Sequence, residues 1–180
     1  MPIRETTPAD LAQLVVLHNA AYPAVPRTTE AEFAELLERS DFALVAAGAR
    51  DDASNDASND ASDDASDDVI VRGSILVMRC GTDYASENYR WFEARGTDFL
   101  YVDRIVVAPD ARGNGIGREL YDRIFALARL EGRTEVTCEV NLLPPNPESL
   151  AFHARLGFER VGEQDTTGGT VRVALLAARI

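Results

Sequence analysis

The residues of this chain best suited to chemistry lie in one run, Val106-Val-Ala-Pro-Asp-Ala-Arg-Gly-Asn-Gly-Ile-Gly117. An apolar stretch feeds a glycine-rich turn, and a helical pattern follows. Glycine lets the backbone come close to a ligand, and the first N–H groups of a helix have no acceptor inside it. Such a turn can cradle a pyrophosphate, with Arg112 and Arg118 adding positive charge. A dinucleotide fingerprint, G-x-G-x-x-G, fails here because its third position is Arg118, with glycine one residue early. A Walker loop needs Gly-Lys-Ser/Thr, and the chain has no lysine at all. The competing reading is a glycine-rich strand-to-helix turn that binds nothing.

The turn has to be held by a sheet, and the surrounding pattern supplies one. Ile3-Arg4-Glu5 reads as a short strand, and Thr7-Pro8 opens a helix carrying Leu11, Leu14, Val15 and His18 on one face. Thr29 caps a second helix with Phe33, Leu36 and Leu37 as its apolar stripe. Residues 42–47 and 69–79 read as a strand hairpin, and 81–98 as a polar and aromatic connection. Residues 99–108 form an almost continuously apolar strand, the pattern of a sheet covered on both faces. A helix over 115–130, a strand over 134–141, a short helix over 148–156 and a terminal hairpin turning at Gly168-Gly169 complete the order. The pattern is a mixed sheet with helices packed on it.

Composition limits the function. The chain has 180 residues, enough for one domain with a real core. It carries 18 basic residues, all arginine, against 30 acidic ones, a net charge of −12. Eight aspartates fall between Asp51 and Asp68, in a tetrapeptide repeat of Asp-Ala-Ser-Asn and Asp-Ala-Ser-Asp, so the rest of the chain carries only −4. The repeat has nothing large and apolar to bury, so 51–68 is expected to be a disordered acidic insertion loop whose replacement by a short turn leaves activity largely intact. It lacks the central glycine and terminal glutamate of a calcium loop. So acidic a chain disfavours nucleic acid as a partner. No apolar run reaches membrane-span length and no secretory signal opens the chain, so a cytoplasmic protein without membrane contact is expected. Cys80 and Cys138 have no metal-ligand spacing, so no metal site is expected. The lysine-free acidity is read as halophilic adaptation, with biased nucleotide composition as the alternative.

A second motif lies downstream: Asn146-Pro-Glu-Ser149-Leu150-Ala-Phe152-His153-Ala-Arg-Leu156-Gly157-Phe158. Together with Val107, Pro109, Arg112, Gly113, Gly115 and Gly117, it resembles the GNAT family of acyl-CoA-dependent N-acyltransferases. The resemblance implies an α/β fold, a mixed, mostly antiparallel sheet with splayed central parallel strands and helices on both faces. It implies acetyl-CoA as cosubstrate, its pyrophosphate on the amides of Arg112, Gly113, Asn114, Gly115, Ile116 and Gly117, with Arg118 and Asn146 beside them. Pantetheine is then expected along Ile105, Val106 and Val107, where a backbone N–H polarises the thioester carbonyl. Family members usually act by direct attack in a ternary complex, so no nucleophilic cysteine is needed, and Cys138 reads as packing.

Acetyl transfer to an amine needs a base for the ammonium proton, donors for the oxyanion and an acid for the thiolate. Family members often place a tyrosine where this chain has His153, which is the candidate acid; a partly buried structural histidine is the alternative. Asp103 is the first choice for the base, against a salt bridge with Arg104. Glu139 is the competitor, and a solvent relay needs neither. Tyr101 shares the face of Asp103 by period two. Tyr89 and Trp91, in the aromatic connection, and Tyr22, between the first two helices, are candidate walls of the acceptor pocket; a hydrophobic plug is the alternative for the connection. The expected activity is N-acetyl transfer to a primary amine of a small molecule, peptide or protein. A non-catalytic acyl-CoA-binding module and a structural interaction protein are the competing classes. Dimers are common in the family, which keeps a homodimer open.

Overall fold

The computed structural model describes residues 1–49 and 69–180. The acidic repeat expected as an insertion loop lies outside the described residues. Seven strands form one sheet: β1 (Ile3–Glu5), β2 (Phe42–Ala49), β3 (Val69–Arg79), β4 (Phe99–Val107), β5 (Glu135–Leu143), β6 (Glu159–Thr166) and β7 (Val171–Arg179). Their order is β1-β2-β3-β4-β5-β7-β6, and β4 with β5 is the parallel pair among otherwise antiparallel neighbours. A parallel pair needs a long crossover, and the helical residues between β4 and β5 provide it. The helices are α1 (Leu11–Ala20), α2 (Glu30–Arg39), α3 (Glu87–Ala94), α4 (Ile116–Leu130) and α5 (Pro147–Arg155). No described helix is long and apolar enough to cross a membrane.

Local chemistry accounts for the element ends. Thr29 accepts from the Glu32 amide at 3.3 Å while the Glu32 carboxylate accepts from the Thr29 amide at 2.8 Å, a reciprocal cap for α2. The connection over 81–98 departs from expectation by containing α3. Ser86 caps it by accepting from the Tyr89 amide at 3.3 Å, and Tyr89 and Phe92, three residues apart, turn one face inward.

Both faces of the sheet are covered. Ile116, Leu120, Tyr121 and Ile124 of α4 pack on Val102, Val136 and Cys138. On the opposite face Leu14, Phe33, Tyr89 and Phe92 pack on Met78, Phe99 and Tyr101. Each fully buried side chain of this size contributes about 1.5–3 kcal/mol. This double burial explains why β4 reads as a nearly unbroken apolar run.

Two irregularities in β4 create the site. Leu76 pairs with Arg104 but Val77 pairs with Val102, so Asp103 is the extra residue of a β-bulge. Before it, Leu100 and Val102 face α4; after it, Ile105 and Val107 do, so the alternation slips by one. Pairing of β4 with β5 runs from Phe99 opposite Glu135 to Val102 opposite Cys138 and stops there. Beyond that point β4 stays with β3 and β5 with β7, and a gap opens between the two central strands.

Candidate active site

The glycine turn sits at the open end of this gap. Gly113 (φ 82°) and Gly115 (φ 84°) occupy the left-handed region, which a side chain enters only with strain. Gly115 is the residue before α4 and offers no side-chain cap. Among the described residues, the amides of 113–118 have no protein acceptor; the first donation into the helix is from Glu119 to the Gly115 carbonyl at 3.0 Å. The turn therefore presents a row of free N–H groups at a helix start, an anion cup. Gly117 answers to space instead: a Cβ there would lie 3.0 Å from the Phe152 ring of α5. Arg112 and Arg118 line the same cleft, while Asn114 is exposed on the turn's outer side.

The strand edge adds further donors. Ala108 donates to the Arg72 carbonyl at 2.8 Å, toward β3. Strand alternation then directs the amides of Ile105 and Val107 the other way, into the gap, and that of Val106 back toward β3. The Val106 side chain is buried on the face opposite α4. The gap joins two clefts of about 620 Å³ each. One runs along the turn on the α4 side, the other opens on the α1 and α3 side, and Ile105, Asn141, Asn146, Ser149 and His153 line both. Asn146 also caps α5, accepting from the Ser149 amide at 3.2 Å.

Glu87, Asp103 and Glu139 line the second cleft, and the last two are the candidate bases. Glu139 of β5 accepts from the Tyr101 hydroxyl at 2.6 Å. Burial, with the charge of Asp103 as the next cause, pushes Glu139 up to about 8, while the Tyr101 hydroxyl and the Asn88 amide hold it back. Asp103 accepts from the Tyr84 hydroxyl at 2.7 Å and pairs with Arg104 at 3.4 Å. Burial raises Asp103 too, opposed by Tyr84 and Arg104. The first-choice base is thus held in the ion pair that was its alternative, and Glu139 is the carboxyl poised near neutral pH.

His153 is 2% exposed with both ring nitrogens engaged. Nδ1 lies 2.8 Å from the Ser149 carbonyl, which only accepts, so Nδ1 carries the proton. Nε2 is then an acceptor, taking the Tyr121 hydroxyl proton at 2.8 Å. Burial lowers its pKa, keeping the ring neutral. A histidine so arranged has no free N–H to give, which is a correction to its reading as the acid. It fixes Tyr121, a residue the sequence reading did not single out, at the wall of the second cleft.

The aromatic candidates divide. Tyr22 is 57% exposed and lines the second cleft, with Arg27 over its ring at 4.9 Å. Tyr101 is fully buried and reaches the cleft only through Glu139. Tyr89 is corrected to a core residue: it is fully buried, donates to the Arg79 carbonyl at 2.7 Å and accepts from the Thr82 amide at 2.8 Å. Trp91 is likewise corrected, since its ring packs where a Gly162 Cβ would lie, 2.5 Å away. Tyr89 and Trp91 thus close the sheet toward β6, while Tyr84, Ser86, Glu87 and Asn88 of the same connection line the second cleft.

Residues 77–158, which include both motifs, match the family model described as the acetyltransferase (GNAT) family. The segment that builds the turn and the gap is thus similar to the GNAT acetyltransferases. A search of curated proteins found no match. Among solved structures, the GNAT fold recurs in the ribosomal-protein-alanine N-acetyltransferase from Brucella melitensis (20% identity, all of both chains, TM-score 0.66). It recurs in Chaetomium thermophilum Naa20 in complex with a bisubstrate analogue (17% identity, 100% of this chain and 87% of that one, TM-score 0.70). Arabidopsis thaliana NAA60, also with a bisubstrate analogue, is similar over 99% of this chain and 97% of its own (17% identity, TM-score 0.69).

Proposed function

We propose that the protein transfers the acetyl group of acetyl-CoA to a primary amine by direct attack in a ternary complex. The observation that carries this reading is the gap between β4 and β5, where a cleft lined by free backbone donors meets a second cleft lined by carboxylates. The donors fit the cosubstrate: unaccepted amides over 113–118 with Arg112 and Arg118 suit its diphosphate, and the Ile105 and Val107 amides suit a linear amide-bearing arm. Acetyl-CoA supplies an activated thioester.

The chain's own groups supply the rest. Glu139, as carboxylate, accepts the proton of the attacking amine. An amide of Ile105 or Val107 stabilises the developing oxyanion. His153 holds Tyr121 through Nε2 and thereby shapes the junction of the clefts. The Brucella relative is named for a ribosomal-protein alanine acceptor, so peptide α-amines belong in any acceptor panel. The test is free-thiol release from acetyl-CoA with such a panel in high salt. Turnover with at least one amine, lowered by about 10²–10⁴ in Glu139→Gln, is the expected result; tight acetyl-CoA binding without turnover across the panel would favour a non-catalytic module.

A further inference from the structure

Arg104 differs from the other half-buried arginines. Arg4, Arg72, Arg79, Arg95 and Arg133 each hold a carboxylate oxygen at 3.1 Å or closer. Among the described residues, Arg104 has only Asp103 at 3.4 Å, through Nε, and the Pro26 carbonyl at 3.4 Å, through Nη1. Its side chain is 14% exposed and lies over the Phe33 ring at 5.9 Å. A guanidinium removed from water normally makes short, two-pronged bonds to an anion, and this one makes none. It lines the acceptor cleft, on the sheet face opposite α4 and its turn, so the cosubstrate's phosphates do not account for it.

The bulge explains the placement. Asp103 reaches Tyr84 and Arg104 reaches Phe33, so both consecutive side chains turn to the same face, beside Glu139. The cleft thus carries an acid and a base side by side, joined by one long contact that a ligand can open.

Resting on the reading above, we infer that the acceptor is a zwitterion, a molecule with a carboxylate a few bonds from its reacting amine, such as a free α-amino acid. Arg104 receives the carboxylate and Asp103 steadies the ammonium end beside Glu139. In the transfer the bound ammonium first gives one proton to solvent; the amine nitrogen then bonds to the acetyl carbon, the C–S bond breaks with its electron pair on sulfur, and a second N–H proton passes to Glu139. A peptide offers Arg104 a neutral carbonyl in place of a charge, which is the distinction to measure.

The experiment compares thiol release for free amino acids, their carboxamides and short peptides, with kcat/KM corrected for the fraction of free amine. Loss of a charge-assisted contact corresponds to about tenfold to a hundredfold, so the acids are expected to exceed their carboxamides by that factor. In Arg104→Gln the acid-to-amide ratio falls toward one. The wild-type ratio stands even if that variant does not fold. Carboxamides or peptides equal to or better than the acids in the wild type overturn the zwitterion while leaving acetyl transfer intact. If no amine releases thiol, acetyl transfer itself fails, and calorimetry on the CoA-loaded protein decides the rest: heat from an amino acid but not its amide supports the pocket, and heat from neither refutes it.

Discussion

The two clefts that meet at the β4–β5 gap are built in opposite ways. The donors of the proposed cosubstrate cleft are backbone, free amides over 113–118 and a strand edge within one contiguous segment, although the end of α1 and α5 also line it. The acceptor cleft is made of side chains gathered from distant stretches, with Tyr84 on Asp103 and Tyr101 on Glu139 as hydroxyl–carboxylate pairs. Backbone donors need only a turn of the right shape, and glycines announce it. Side-chain sites depend on which strands become neighbours and on where a bulge turns a residue. A scaffold of this kind can keep one ligand while varying the other.

If the clefts divide the labour, substitutions in each should move different quantities. Glu139→Gln is expected to lower kcat/KM by about 10²–10⁴ while acetyl-CoA affinity stays unchanged, the range for removing a general base. A wild-type pH profile should rise with an inflection near 8, because the proposed base role of Glu139 requires that its proton be lost, and the variant should lose that inflection. Gly115→Val should do the reverse. Forcing a side chain into the left-handed region costs about 1–2 kcal/mol, so acetyl-CoA should bind about tenfold more weakly with kcat little altered. Should both variants act on the same parameter, the division is wrong.

Two smaller effects sharpen the same contrast. Gly162→Ala drives a methyl into the Trp91 ring and should destabilise the protein by about 1–3 kcal/mol in thermal melts, leaving the acceptor preference unchanged. An altered preference would return Trp91 to the pocket wall. Asp103→Asn removes the negative charge that helps raise Glu139, so the inflection near 8 should move to lower pH. An inflection that stays in place would separate the two carboxyls.

Legibility in the sequence follows the same line. The turn, the strand before it and α4 were readable because apolar run, glycines and helical stripe are contiguous, and the Thr29 cap and both hairpins were readable from local chemistry. The carboxylates were visible only as candidates. Choosing between Asp103 and Glu139 needed the bulge at Asp103, which no pattern in β4 announces, and the Tyr101 contact across strands. The role of His153 turned on Ser149 and Tyr121, one a backbone carbonyl and the other on a different helix. Helix α3 did leave a signal: Ser86 as cap with Tyr89 and Phe92 at helical spacing. It was obscured by the polar residues around it.

The most direct measurement is calorimetric comparison of CoA with pantetheine, which keeps the arm and lacks the diphosphate. Several charge-assisted bonds from the amides over 113–118 should make CoA the tighter ligand by at least about a hundredfold. Equal affinities, or no binding of CoA at all, would contradict the anion cup on which the cosubstrate cleft rests.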